Sequence, residues 1–172
     1  MKKLLSTACL FVVTAAAISC GYPSLPSIGV RQGPPGKIDW LLGPGALLNA
    51  VHLTEPGGGA AVGEQGAILV TSDAGVTWTA VESGTDRSLR GVAFADTMNG
   101  VAVGAGGTVL RTDDAGRSWT AVNTGSAAEL RGAAFGGPAV GVVVGEGGVI
   151  YRTEDVGRVW HCNAAAFASF KK

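Results

Sequence analysis

Charge is scarce in this sequence and neither sign prevails: 13 Lys and Arg stand against 13 Asp and Glu, mixed along 172 residues of which 47% are hydrophobic. That mixture lacks the basic stripe that neutralises phosphates, so no nucleic-acid partner is expected. It also lacks the low hydrophobicity and high net charge of disordered chains, which predicts a globular protein of one domain. Histidine occurs only as His52 and His161, neither with a Cys, His or carboxylate at ligand spacing, so no metal and no cofactor are expected. Cysteine occurs only as Cys9, Cys20 and Cys162. The apolar run from Leu4 to Ile18 covers 15 positions, counting Ser6, Thr7 and Thr14, short of the ~20 residues that cross a bilayer as a helix.

The flanks of that run give it another role. Met1-Lys2-Lys3 precede it and Ser19-Cys20-Gly21 follow it, the layout of a bacterial export signal, predicted over residues 1–19. The segment Ala17-Ile18-Ser19-Cys20 resembles a lipobox, with Ala17 where leucine is usual. Cys20 is then the expected lipid attachment site, and the chain is expected in the bacterial cell envelope, anchored to a membrane by its N-terminal lipid. Cleavage after Ala15-Ala16-Ala17 is the alternative; it leaves Cys20 as a plain thiol on a periplasmic or secreted protein. With Cys9 in the signal and Cys20 lipidated, Cys162 has no partner within the chain, and no disulfide framework is expected. Cys162 stands where the other repeats have Ala80 and Ala121, so it is expected as a small buried residue. Residues 20–47 read as a tether, with Pro23, Pro26, Pro34, Pro35 and Pro44 among glycines.

From Leu48 onward the sequence repeats itself every 41 residues without insertion or deletion, in copies 48–88, 89–129 and 130–172. Leu53, Phe94 and Phe135 fall at one offset, as do Gly63, Gly104 and Gly145, and Ile68, Val109 and Ile150. This period is that of a four-stranded propeller blade, and glycine recurring every few residues excludes helical repeats. In the second copy, strands are predicted over Leu89 to Ala95, Gly100 to Gly104, Thr108 to Thr112 and Arg117 to Val122. The second strand is apolar throughout, as in Val142-Val143-Val144, the pattern of a sheet covered on both faces. The predicted fold is all-β: a partial β-propeller of three four-stranded antiparallel blades. Closed propellers have roughly 4 to 8 blades, so apolar faces carrying Val101, Val103, Val142 and Val144 are expected to need cover. The segment Ile38-Asp39-Trp40-Leu41-Leu42, with Trp40 in the role of Trp78, and the tail from Ala164 to Phe170 are two candidate covers. A second copy is the third, as a homo-oligomer of two chains closing a six-bladed ring.

After the third strand the copies read Thr71-Ser72-Asp73-Ala74-Gly75-Val76-Thr77-Trp78, Thr112-Asp113-Asp114-Ala115-Gly116-Arg117-Ser118-Trp119 and Thr153-Glu154-Asp155-Val156-Gly157-Arg158-Val159-Trp160. Each resembles the Asp box, S/T-x-D-x-G-x-T/S-W, with Val159 departing in the last copy. Chemically the pattern asks for a turn: the carboxylate accepts N–H groups of its own loop, Gly supplies a positive φ, and Trp packs between blades. That role accounts for Asp73, Asp114 and Asp155 better than catalysis does.

Asp boxes occur in sialidases, in sortilin-type receptors and in the photosystem II assembly and stability factor family of seven-bladed propellers. The runs Leu89-Arg90-Gly91-Val92-Ala93-Phe94, Asn99-Gly100-Val101-Ala102-Val103-Gly104 and Gly106-Gly107-Thr108-Val109-Leu110-Arg111-Thr112 look most like the last. This resemblance, over Leu48 to about Asn163, implies a non-enzymatic propeller that binds another protein. A carbohydrate-binding or sialidase-derived module, or a truncated propeller fragment, is the alternative. A sialidase needs a tyrosine nucleophile, however, and Tyr22 lies in the tether while Tyr151 lies in a repeat strand. The family's arginine patch serves binding. Here Arg90 and Arg131 are equivalent, as are Arg111 and Arg152, and Arg117 and Arg158, while the first copy has Asn49, Val70 and Val76. Arg90 and Arg131 are the preferred binding candidates, followed by Arg111 and Arg152; a merely solvated surface role is the competing account. Glu64 and Glu146 sit in glycine turns with no Lys-Ser/Thr following, so those loops are not phosphate cradles.

Overall fold

Short apolar segments punctuated by glycine pair locally, each with the next in the chain. The computed structural model describes residues 47–162. The first sheet is β1 (Leu48–Thr54), β2 (Gly58–Gly63), β3 (Ile68–Thr71) and β4 (Thr79–Val81). The second is β5 (Leu89–Phe94), β6 (Gly100–Gly104), β7 (Val109–Thr112) and β8 (Thr120–Val122), and the third β9 (Leu130–Phe135), β10 (Gly141–Gly145), β11 (Ile150–Thr153) and β12 (His161–Cys162). Within each sheet the strands lie in sequence order and pair antiparallel. The register repeats as well: Val51 faces Ala61, Val92 faces Ala102 and Ala133 faces Val143. The architecture is the partial propeller that the 41-residue period predicts. The export signal, Cys20, the tether to residue 46, the Trp40 segment and the tail from Ala164 lie outside the described residues.

Three sequence-derived strand limits move. The third strand of the second sheet begins at Val109 instead of Thr108, whose N–H closes the preceding turn on the Ala105 carbonyl at 3.2 Å. The fourth strand of the second sheet begins at Thr120 instead of Arg117, because the Asp-box turn holds the intervening residues: the Ser118 N–H donates to Asp114 Oδ1 at 2.9 Å and the Trp119 indole N–H to the Gly116 carbonyl at 2.9 Å. The first strand ends at Phe94 because the Ala95 N–H turns back to the Asn99 carbonyl at 2.8 Å. The Asp96 carboxylate caps that bend by accepting the Met98 and Asn99 N–H groups, both at 2.7 Å.

The sheets stack face to face and come closest at their first strands, β1, β5 and β9. Glycine permits this approach: a Cβ on Gly91 would lie 3.0 Å from the Gly132 Cα. Between the first and second sheets, Ala60, Val62 and Ile68 meet Leu89, Val92, Phe94, Ala102 and Leu110, with Trp119 packed against them. Between the second and third, Val101, Val103 and Val109 meet Leu130, Val143, Tyr151 and Trp160. Burial of these faces is the main stabilising term, at roughly 25 cal/mol per Å² of apolar surface removed from water. Val101 and Val103 are therefore buried, not the uncovered end residues expected from sequence; they look toward the third sheet. Cys162 is also exposed instead of buried, since β12 is the outermost strand of the last sheet.

Candidate functional site

Each Asp-box turn is built from the same atoms. The Thr71, Thr112 and Thr153 side chains, all buried, donate to Oδ1 of Asp73, Asp114 and Asp155 at 2.8, 2.8 and 2.7 Å. The same hydroxyl oxygens accept the N–H of Gly75, Gly116 and Gly157 at 3.0, 2.9 and 3.0 Å. Oδ1 of each aspartate also accepts the N–H of Thr77, Ser118 or Val159 at 2.8, 2.9 and 2.9 Å. Oδ2 accepts the Thr77 hydroxyl at 2.5 Å and the Ser118 hydroxyl at 2.6 Å. Val159 brings no hydroxyl, and in that copy Oδ1 also takes the Arg158 N–H at 3.0 Å. Trp78, Trp119 and Trp160 donate their indole N–H to the carbonyls of Gly75, Gly116 and Gly157 at 3.0, 2.9 and 3.1 Å.

These bonds set the aspartate charges. The Thr77 hydroxyl and N–H, with the Thr71 hydroxyl, hold Asp73 below the ordinary aspartate value. Partial burial pulls Asp114 upward, but the Ser118 hydroxyl and N–H and the Thr112 hydroxyl outweigh it, and its pKa is lowered. Burial likewise raises Asp155, and the Val159 N–H, the Thr153 hydroxyl and the Arg158 N–H bring it down on balance. Carboxylates that accept these donors are held as anions by their own turns, which fits a structural role. One feature of the turn is invisible in the motif: two consecutive residues are left-handed, Ala74, Ala115 and Val156 at φ 58, 63 and 61° and then Gly75, Gly116 and Gly157 at φ 86, 85 and 81°. Val156 is β-branched, for which this region is strained. Among the described residues, no group of three or more His, Cys, Asp and Glu is placed to hold a metal ion.

The candidate arginines separate into two pairs at opposite ends of the sheets. Arg90 and Arg131 open β5 and β9, beside the hairpin turns Ala105–Gly107 and Glu146–Gly148. Arg90 lies 3.4 Å from Glu129, and Arg131 pairs with Glu146. Both arginines are exposed, on the inner strands where the sheets converge. Asn49 holds the equivalent place on β1, and its side-chain amide donates to the Leu89 carbonyl at 2.8 Å. Glu129, which sequence reasoning did not single out, also accepts the Gly106 N–H at 3.0 Å; only its position just ahead of Leu130 hinted at a seam role.

Arg111 and Arg152 belong to the Asp-box end. The Arg111 guanidinium lies between the second and third sheets. Its Nε donates to the Val156 carbonyl at 3.1 Å, Nη1 to Asp113 at 2.9 Å and Nη2 to the Asn99 side-chain oxygen at 3.2 Å. Its side chain is 12% exposed, so it joins blades instead of presenting a charge to solvent. Arg152, on the outer face of the third sheet, is exposed and pairs with Glu154. Tyr151 is buried against the second sheet, where no substrate could reach it.

The family model for photosynthesis system II assembly factor YCF48 matches residues 42–169. Solved structures are similar as well. YCF48 bound to D1 peptide superposes with a TM-score of 0.61 at 25% identity, over 68% of this chain and 39% of that one. YCF48 from Cyanidioschyzon merolae superposes with a TM-score of 0.60 at 24% identity, again over 68% and 39%. The chain thus spans well under half the length of either structure. No curated protein matches it.

Proposed function

Because the chain belongs to the photosynthesis system II assembly factor YCF48 family, we propose that it is a non-enzymatic propeller arc that binds an extended segment of another protein. The observation that carries this reading is the family match across all three sheets, together with a structural relative that is itself a peptide complex. The binding surface in this reading is the hairpin end of the inner strands, where Arg90 and Arg131 stand one repeat apart. Their present partners, Glu129 and Glu146, are carboxylates on the rim. A ligand carboxylate can exchange with such partly exposed pairs at little cost, since surface ion pairs are worth about 0 to 1 kcal/mol. The preferred ligand is therefore an acidic, extended peptide. Arg111 takes no part, being spent on the seam.

The reading includes export and lipid attachment at Cys20, which would hold the arc at a membrane surface. Its support is the lipobox-like Ala17-Ile18-Ser19-Cys20; the intact mass of the membrane-fraction protein distinguishes a diacylglyceryl Cys20 from a chain beginning at Ile18. The binding claim is tested on paired arrays of short peptides, graded in acidic content, and of glycans including sialosides. Acidic peptides should be retained and glycans not. Glycan binding without peptide binding would overturn the proposal.

A further inference from the structure

One backbone N–H at the hairpin end is held by a carboxylate that reaches it across a seam. Gly106, left-handed at φ 60°, donates its N–H to Glu129 Oε1 at 3.0 Å, while its carbonyl accepts from Arg87 Nη1 at 3.0 Å. The second oxygen of Glu129 lies 3.4 Å from Arg90 Nε. A carboxylate thus sits between a fixed backbone donor and a guanidinium, two of the groups that bind oxyanions most strongly. Glu129 comes from outside the second sheet, at the end of the connection to β9. It reaches a turn that has Ala105 where the other two turns have Glu64 and Glu146.

The donors around this carboxylate are not spent. Arg111, which joins sheets, uses Nε, Nη1 and Nη2 on three acceptors and is 12% exposed. Arg90 is 39% exposed and approaches Glu129 through Nε; among the described residues its terminal nitrogens donate no hydrogen bond. Glu129 is itself 33% exposed, so both partners are open to solvent and to a ligand. The first seam supplies the contrast. Gln65, Asn49 and Ser88 hold there the places of Gly106, Arg90 and Glu129, and Asn49 turns its amide to the Leu89 carbonyl. Sheets stack at that seam with neither charge, so stacking alone does not require the Arg90 and Glu129 pair.

We infer that the Gly106 N–H and Arg90 form a seat for a side-chain carboxylate of a bound peptide, and that Glu129 is the chain's own occupant of that seat, displaced when the ligand enters. The ligand's identity rests on the acidic-peptide reading; the seat itself rests on the geometry around Gly106. An incoming carboxylate takes over the Gly106 N–H and can engage the unspent terminal nitrogens of Arg90, while Glu129 turns out to water at the rim. The two carboxylates do not share the seat, because like charges so close disfavour each other. Glu129 is therefore a specificity-determining residue: only a ligand whose carboxylate outcompetes it is held. At Arg131 the competitor is Glu146, which is 51% exposed and bonds through its side chain to the guanidinium alone, so that position yields more readily.

Glu129→Ser installs the residue that the first seam carries, so the variant should keep the circular dichroism spectrum of the wild type while vacating the seat. The probe is sodium acetate, followed through the Gly106 amide resonance of the ¹⁵N-labelled full chain against sodium chloride at equal ionic strength. Acetate should shift that resonance saturably in Glu129→Ser, little in the wild type, and not in Glu129→Ser/Arg90→Met. The Gln65 amide should stay unmoved in all three. An acidic peptide capped at both ends, so that only its side chains carry charge, should bind Glu129→Ser roughly 3- to 10-fold more tightly than the wild type. A Gly106 resonance in Glu129→Ser that acetate leaves in place would overturn the inference. So would a peptide affinity that is unchanged or lowered, the result expected of a residue that only holds Arg90 in position. Acetate seated at Gly106 with no acidic peptide bound by either protein would uphold the seat and contradict the peptide-binding reading instead.

Discussion

Gly157→Ala is expected to lower stability by about 2 to 4 kcal/mol, and Gly75→Ala, at the same place in the first turn, by only about 1 to 2 kcal/mol. Both positions are left-handed, with φ at 81 and 86°, so both substitutions carry the same backbone strain. Only at Gly157 does the new methyl group meet another sheet, at 2.7 Å from Val101 Cγ1. Overpacking adds ~1 to 3 kcal/mol there. Denaturant unfolding of both variants beside the wild type separates the two costs. Equal losses at the two glycines would contradict the seam between the second and third sheets.

The second large effect is at the aspartates. Asp114→Ala removes the acceptor for the Ser118 N–H and for the hydroxyls of Ser118 and the buried Thr112. The expected cost is about 1 to 3 kcal/mol, the penalty for donors left without partners. Asp114 has a folded pKa below its unfolded one, as do Asp73, Asp96 and Asp155. Their stabilisation is fully present above the unfolded value of ~3.9 and is lost as pH falls through the folded values. The melting temperature of the wild type should therefore be level from neutral pH to about pH 5 and fall below about pH 4. In Asp114→Ala the melting temperature should start lower and fall less steeply. An unchanged melting curve at neutral pH would contradict the turn role.

Periodicity made the fold legible. One constant offset carried Gly63, Gly104 and Gly145 to the ends of equivalent strands, and each repeat's four apolar runs became four paired strands. The Asp-box motif likewise disclosed the donors and acceptors of its turn, because they lie within a few residues of each other. What the pattern did not disclose is which face of a strand looks forward along the stack. Val101 and Val142 are equivalent in sequence, yet one is buried in a seam and the other lies on an outer face. The arginines were ambiguous for the same reason. Arg111 and Arg152 share a repeat position, but among the described residues only Arg111 has a following sheet, whose Val156 carbonyl it reaches. The left-handed Val156 was hidden too, since nothing in its residue type announces a positive φ. Arg90 and Arg131 could be placed on inner strands from sequence, whereas their partners Glu129 and Glu146 depend on how neighbouring strands and turns converge.

The claim that the inner-strand arginines bind an acidic peptide is tested most directly by titrating the best-retained array peptide against the wild type and Arg90→Glu/Arg131→Glu. Both positions are exposed, and although each substitution sets a glutamate beside Glu129 or Glu146, the loss of stability should stay within about 1 to 2 kcal/mol, leaving the variant folded. Affinity should fall by ~10-fold or more in the variant and should weaken in the wild type as salt is raised. Equal affinity in the two proteins, insensitive to salt, would contradict the account.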